Sequence, residues 1–200
     1  MPDLPMTGER IVPIKMAYDV RELQAHVARY LWALEFCAGR SVLDAACGSG
    51  YGSEILSWGA DHVHGIDIDM PTVVYAWEHY KTPKNGFQQM SVYDIRQINA
   101  IFEVVVSFET IEHLQDPSRF IDAVWEEMLP GGLFICSAPE NSGSKHHVRD
   151  YGKSELKALL SQYFDPQLMR YFSQGPRMEI KEQDAPLWPD HPVHIFVCKK

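Results

Sequence analysis

The sequence predicts an α/β fold: a mostly parallel sheet with helices on both faces. Three observations predict it. An apolar run, Ser41 to Asp44, opens onto the turn Ala45-Ala46-Cys47-Gly48-Ser49-Gly50. A second run, Val63 to Asp67, ends on another aspartate nineteen residues after Gly48 (67 − 48). Further on, β-branched runs alternate with segments of helical period, which is the pattern of strand–helix–strand units.

Taken in order, Tyr18 to Phe36 reads as an amphipathic helix, with Leu23, Val27, Tyr30, Leu31 and Leu34 at three- and four-residue spacing. Ser41 to Asp44 is a buried strand, and Tyr51 to Trp58 a helix leaving the glycine turn. Val63 to Asp67 is the next strand. Pro71 to Tyr80 is a helix with proline in its first turn. Asn85-Gly86 marks a turn before a strand over Phe87 to Val92. Phe102 to Phe108, rich in valine, suits a strand buried on both faces. Pro117 to Met128 is helical, Pro130-Gly131-Gly132 turns, and Leu133 to Ser137 is a strand. Ser154 to Tyr163 is a helix, and Gln167 to Phe172 a strand. A proline-rich loop, Gly175 to Pro192, precedes a last strand over Val193 to Cys198, making seven strands. No repeat or linker divides the chain, so residues 1–200 are expected to form one domain.

Composition narrows the function classes. The 46% apolar content suits an ordinary globular core. No stretch reaches the roughly 18 apolar residues of a membrane helix. Met1-Pro2-Asp3-Leu4-Pro5 lacks the start of a secretory signal, and a cytoplasmic protein without membrane contact is expected. Cys37, Cys47, Cys136 and Cys198 are scattered, with no C-x-x-C pair to suggest zinc or a disulfide framework. A net charge of −9 disfavours nucleic acid, whose binding rests on phosphate neutralisation. The basic stretch Lys145-His146-His147-Val148-Arg149 reads as a solvated loop. A small-molecule partner is favoured, and oligomeric state is not legible.

The glycine turn carries the chemistry. Glycines there let the backbone approach a ligand closely. Asp44 places a negative charge at the strand end, which suits a cationic group and argues against a phosphate cradle. An acidic side chain at the position of Asp67 is a device for holding ribose hydroxyls. Gly48-x-Gly50-x-x-Ser53 also approximates a dinucleotide fingerprint, but Ser53 and Asp44 depart from it.

Val42-Leu43-Asp44-x-x-Cys47-Gly48-x-Gly50 resembles the signature loop of class I S-adenosylmethionine-dependent methyltransferases. Gly65-Ile66-Asp67 looks like that family's ribose-binding strand end. Phe102 through Leu114 is similar to its fourth motif, and Leu129-Pro130-Gly131-Gly132-x-Phe134 with Ser137-Ala138-Pro139 to its fifth strand. The resemblance implies a Rossmann-like fold closed by an antiparallel last strand, with S-adenosylmethionine as cofactor. It implies that Gly48 and Gly50 pass close to the methionine portion, that Ala46 offers backbone groups and that Asp44 sits near the amino group. Asp67 would accept from both ribose hydroxyls while Ile68 packs on adenine. Phe108 and Glu109 would lie near the sulfonium. Where the family has an adenine-contacting aspartate this chain has Ser91, so Ser91 and the Val92 amide, or else Asp94, are expected to serve. Thr7 to Pro13 and His26-x-x-Arg29-Tyr30 resemble the opening segment of a bacterial group, making residues 1–36 a lid. Arg29 would then pair with the cofactor carboxylate, or else form a surface ion pair with Glu22 or Glu35.

Methyl transfer from a sulfonium needs donor and acceptor held in line and shielded from water. Tyr18, Tyr30, Phe108 and Tyr151 are aromatics available to a cation. A base is needed where the acceptor must lose a proton, and His113 and His147 are the candidates. For His113 the alternative is a backbone-capping role; for His146 and His147 it is a solvated loop. The expected activity is methyl transfer to an oxygen or nitrogen of a small molecule. Glu109-x-x-Glu112-His113 with a later histidine is also similar to the set in metal-assisted O-methyltransferases acting on quinones or RNA 3′ ends. The same motif occurs in relatives without metal, and no metal is assigned. A regulator that binds the cofactor without transfer is the remaining alternative.

Overall fold

The computed structural model describes residues 4, 11–16, 20–183, 186 and 192–200. Thr7-Gly8-Glu9-Arg10 and Tyr18, both singled out from sequence, lie outside the described residues. The chain clusters into two compact units, Met1–Asp94 and Ile95–Lys200.

In the first unit, β1 (Ser41–Ala45), β2 (His62–Asp67) and β3 (Asn85–Gln89) run parallel in the order β3-β2-β1. Val42 stands opposite Val63, and Gly65 opposite Phe87. Helix α1 (Arg21–Cys37) buries Leu23, Tyr30, Ala33 and Cys37, spaced to fall on one face. Helix α2 (Tyr51–Ser57) leaves the glycine turn from Gly50, which is left-handed at φ +93°. Helix α3 (Met70–Tyr80) starts cleanly because Asp69 accepts from the Thr72 amide at 3.2 Å and Pro71 fills a first-turn position that needs no donor. β3 ends at Gln89, earlier than its sequence suggests. The Ser91 hydroxyl takes the Tyr93 amide at 3.2 Å, turning the chain out of the strand into a 3₁₀ segment from Val92.

In the second unit the strand order is β4-β5-β8-β6-β7. β4 (Phe102–Phe108) is buried from Val104 to Phe108 and pairs in parallel with β5 (Met128–Pro139). β8 (Val193–Lys199) is antiparallel to both β5 and β6 (Met169–Gln174), as the resemblance implies. The described residues hold eight strands, not seven. The extra one is β7 (Ile180–Glu182), a three-residue strand on the edge of β6 inside the segment expected to be loop. β5 also starts earlier than Leu133, because a register shift between Phe102 and Val104 absorbs the Pro130-Gly131-Gly132 stretch within the ladder. Helix α4 (Pro117–Glu127) is capped by Asp116, which accepts from the Arg119 amide at 3.0 Å. Helix α5 (Lys153–Leu160) buries Leu156 and Leu160. No helix among the described residues is long and apolar enough to cross a membrane.

One glycine is fixed by close approach. A β-carbon on Gly52, in the first turn of α2, would lie 2.1 Å from the Tyr30 ring. Helix propensity alone favours alanine there by about 1 kcal/mol. Displacing the ring costs about 1–3 kcal/mol and strains the bond from Tyr30 to Asp44, so packing wins. Gly52→Ala is expected to lower stability by about 1 kcal/mol net, read as a lower urea midpoint at unchanged slope.

Candidate functional site

In the first unit the predicted residues gather around the turn after β1. Asp44 has no exposure. Its carboxylate accepts from the Ser53 hydroxyl at 2.6 Å and from the Tyr30 hydroxyl at 3.2 Å. Burial pushes its pKa up to about 7, against the two hydrogen bonds and with some help from the Asp67 charge. Asp44 is thus an enclosed group at the strand end, not one open to solvent. Ala46 is left-handed at φ +64°. Next to it, the Cys47 amide donates to the Ile66 carbonyl at 2.8 Å, tying the turn to β2. Gly48, at φ +56°, faces open space where its β-carbon would be. Its amide donates to Asp67 Oδ2 at 3.0 Å, while the Asp69 amide donates to Oδ1 at 2.9 Å. Two backbone amides therefore fix the Asp67 carboxylate.

Ile68, just beyond, is 70% exposed, unusual for isoleucine and available to a flat apolar partner. Ser91 and Val92 sit in the turn after β3, where the Asp94 amide donates to the Ser91 carbonyl at 2.9 Å. Arg29 is only 2% exposed. The Ser49 hydroxyl donates to the Ile11 carbonyl at 2.7 Å, so the opening segment touches the glycine turn directly.

In the second unit, Phe108 ends β4 almost fully buried. Glu109 follows in the left-handed region, at φ +51°. It is held twice by Ser137: its amide donates to the hydroxyl at 3.1 Å, and the hydroxyl donates to its carboxylate at 2.8 Å. A short 3₁₀ turn, Ile111–His113, then presents Glu112 and His113. The loop after β5 comes back to this turn. The amides of Val148 and Arg149 both donate to the Glu112 carbonyl, at 2.9 and 3.2 Å. That clamp brings His147 beside His113, with ring centroids 4.7 Å apart, edge to face.

His147 departs from the solvated-loop reading. Its side chain is 8% exposed, and Nδ1 lies 2.6 Å from Asp150 Oδ1. The Ser142 hydroxyl sits 2.8 Å from the same Nδ1 and donates to Asp150 at 2.9 Å. Burial raises Asp150, but hydrogen bonds from His147 and Ser142 outweigh it and hold the carboxyl below its usual range. His146 itself is exposed, as the loop reading has it, but its carbonyl lies 3.2 Å from His113 Nδ1. One ligand-type atom each from Glu112, His113 and His147 lie within 4.8 Å of one another. Glu109 is not among them. Tyr151 is buried, with the Arg149 guanidinium 4.9 Å from its ring centroid.

Sequence reasoning missed Ser53 and Tyr30 as partners of Asp44, and Ser142 and Asp150 as partners of His147. The spacing His147-x-x-Asp150 was a usable signal for the last. Nothing local in the sequence connects Tyr30 to Asp44.

A family model described as methyltransferase domain matches residues 43–136. A probable S-adenosylmethionine-dependent methyltransferase of Mycolicibacterium smegmatis is 32% identical over 166 residues, covering 78% of this chain and 63% of that protein. A ubiquinone biosynthesis O-methyltransferase of Psychrobacter arcticus is 31% identical over 130 residues, covering 62% of this chain and 50% of that one. The chain thus spans about half to two thirds of the length of these relatives. Among solved structures, the N-methyltransferase NodS of Bradyrhizobium japonicum, in complex with S-adenosyl-L-homocysteine, superposes with a TM-score of 0.69 at 16% identity. That match covers 94% of this chain and 91% of NodS, and shows a common fold. With glycine turn, paired aspartates and family model in agreement, the chain is similar to the class I S-adenosylmethionine-dependent methyltransferases.

Proposed function

We propose that this protein transfers the methyl group of S-adenosylmethionine to an oxygen or nitrogen atom of a small-molecule acceptor. The observation that carries the acceptor half is the imidazole pair His113 and His147, with His147 largely enclosed and held by Asp150. Such a pair suits an acceptor that must lose a proton, as a hydroxyl or ammonium does. The net charge of −9 supports a small acceptor over RNA. The O-methyltransferase relative from Psychrobacter supports oxygen chemistry.

For the cofactor, the reading assigns the ribose hydroxyls to Asp67 and the adenine face to Ile68, with the Ser91 hydroxyl and Val92 amide at the ring edge. The methionine portion goes to Ala46, Gly48 and Gly50, and the sulfonium end to Phe108 and Glu109. Asp44 supplies a negative charge behind the turn. A carboxylate oxygen already fixed by amides meets the ribose without reordering.

Hydrogen bonds to a charged acceptor contribute about 1.5–3 kcal/mol each. Asp67→Asn is therefore expected to weaken S-adenosylmethionine binding at least about tenfold, measured by calorimetry. His147→Ala is expected to lower turnover about 10²–10⁴-fold at saturating cofactor with cofactor affinity kept. Transfer of labelled methyl groups to a panel of hydroxyl and amine acceptors tests the reading as a whole. Cofactor binding without transfer to any acceptor would favour a regulator instead.

Asp44 gives a pH dependence in the cofactor-free protein. Its folded pKa of about 7 lies above the ordinary 3.8. Below the lower value the carboxyl is neutral in folded and unfolded chains alike, and its burial costs no ionisation energy. Between the two values the unfolded chain loses its proton first, so stability falls as pH rises and levels off above the folded pKa. Three units correspond to about 4 kcal/mol. The stability difference between wild type and Asp44→Asn, followed by urea unfolding across that window, is expected to shift in the variant's favour by that amount. A difference that does not vary with pH would refute it.

A further inference from the structure

We propose that Glu140 and His194 are positioning residues: together they lock the base of the loop between β5 and α5, the loop that carries His147. The loop departs at Glu140, one residue past β5, and returns at Gly152, one residue before α5. Backbone bonds draw these points together. The Tyr151 amide donates to the Pro139 carbonyl at 3.1 Å, and the Glu140 amide donates at 3.0 Å to the carbonyl of Pro192, just before β8. The Glu140 side chain then lies against the return point. A β-carbon on Gly152 would stand 3.3 Å from Glu140 Oε1, so the bare backbone leaves the carboxylate its place.

His194 supplies the hold. It lies in β8 opposite Ala138 of β5 and Ser173 of β6, which makes Glu140 and Tyr171 its diagonal neighbours on one face. Its Nε2 is 2.8 Å from Glu140 Oε2, and its Nδ1 is 2.9 Å from the Tyr171 hydroxyl. A carboxylate only accepts, so Nε2 carries the proton and Nδ1 accepts from the phenol. The Lys153 ammonium, on the first residue of α5, sits 4.0 Å from the Tyr171 ring centroid. The contacts run from Glu140 through His194 and Tyr171 to Lys153, ending one residue from Gly152. Core packing alone would favour an apolar side chain at 194, as at its buried neighbours Ile195, Phe196 and Val197. A buried polar group costs stability unless bonded and, when fully bonded, specifies one geometry. Burial pushes the His194 pKa below its ordinary value, against the pull of Glu140, which keeps the ring in the neutral form that both bonds require. On the methyl-transfer reading, which this use of the loop rests on, the pair keeps His147 in place without touching the acceptor.

The test compares Glu140→Ala with Glu140→Gln, whose amide oxygen still accepts from Nε2. Hydrogen exchange at the Val148 and Arg149 amides, followed by NMR, reports whether the loop stays closed on the Glu112 carbonyl. Glu140→Ala is expected to speed both at least about tenfold, the effect of losing one hydrogen bond to a charged group. Glu140→Gln is expected to recover most of the protection. Unchanged exchange of the β1 amides reports that each variant is folded. With an acceptor found in the panel above, Glu140→Ala is expected to lower turnover about 10–100-fold, and to cost nothing further in a His147→Ala background. Unchanged exchange at Val148 and Arg149 in Glu140→Ala overturns the proposal, as does equal loss of protection in the two Glu140 variants. Additive losses of turnover from Glu140→Ala and His147→Ala overturn the link to His147. Faster exchange in a protein whose turnover ignores His147→Ala leaves the loop assignment standing and removes His147 as the base.

Discussion

A carboxylate with no access to water organises the first unit. Removing Asp44 from solvent is costly unless its oxygens find donors. The chain supplies two, from different helices: Tyr30 of α1 and Ser53 of α2. Each donor constrains its own element. The Tyr30 ring must cross the first turn of α2, which only a glycine at 52 permits. Ser53 must face β1, which fixes the rotation of α2 and the direction in which the chain leaves the glycine turn. The turn is then closed on its other side by Asp67, through the Gly48 amide. Thus two acidic residues on neighbouring strands hold one loop from either end.

The second unit solves a different problem. A long excursion follows β5, and loops of that length are held by their own polar contacts when they carry function. Here Ser142, His147 and Asp150 bond among themselves, and the Glu112 carbonyl receives two of the loop's amides. The consequence is that His147 is largely withdrawn from water although its sequence neighbours Lys145, His146 and Val148 are exposed. An imidazole enclosed in this way and pinned by a carboxylate has a defined tautomer. A solvated one would not.

Much of this was legible in the sequence, for identifiable reasons. The glycine turn, the acid at Asp67 and the run Phe102–Phe108 each carry a local signature: special backbone conformation, strand-end charge and burial on both faces. Elements whose limits depend on turn chemistry were read less well. β3 stops at Gln89 because the Ser91 hydroxyl captures an amide, and β5 begins at Met128 because a register shift lets glycines remain in the ladder. The short β7 has little hydrophobic pattern of its own and forms by pairing with β6. The partners of Asp44 and the withdrawal of Arg29 from solvent were not readable, since both depend on how α1 packs, a tertiary fact no local period encodes. His147 was read as a candidate, but its enclosure follows from two amides meeting the carbonyl of a residue 35 positions earlier (147 − 112).

Fold and cofactor do not decide the acceptor, because class I architecture places the donor and leaves the acceptor side to the loops. The division of labour here is chemical as well as spatial in sequence. Residues before Asp94 offer backbone amides, carboxylates and an exposed isoleucine, which suit a nucleoside and an amino acid. Residues after it offer two imidazoles, Glu112 and a braced loop, which suit a group whose proton or lone pair must be managed. On the proposed reading, selection for an acceptor acts on the loop from Ser142 to Asp150. It cannot act freely on Glu112, whose carbonyl holds that loop in place whatever its side chain does. For that reason a change of side chain at Glu112 separates its chemistry from its architecture, since the backbone clamp survives the loss of the carboxylate.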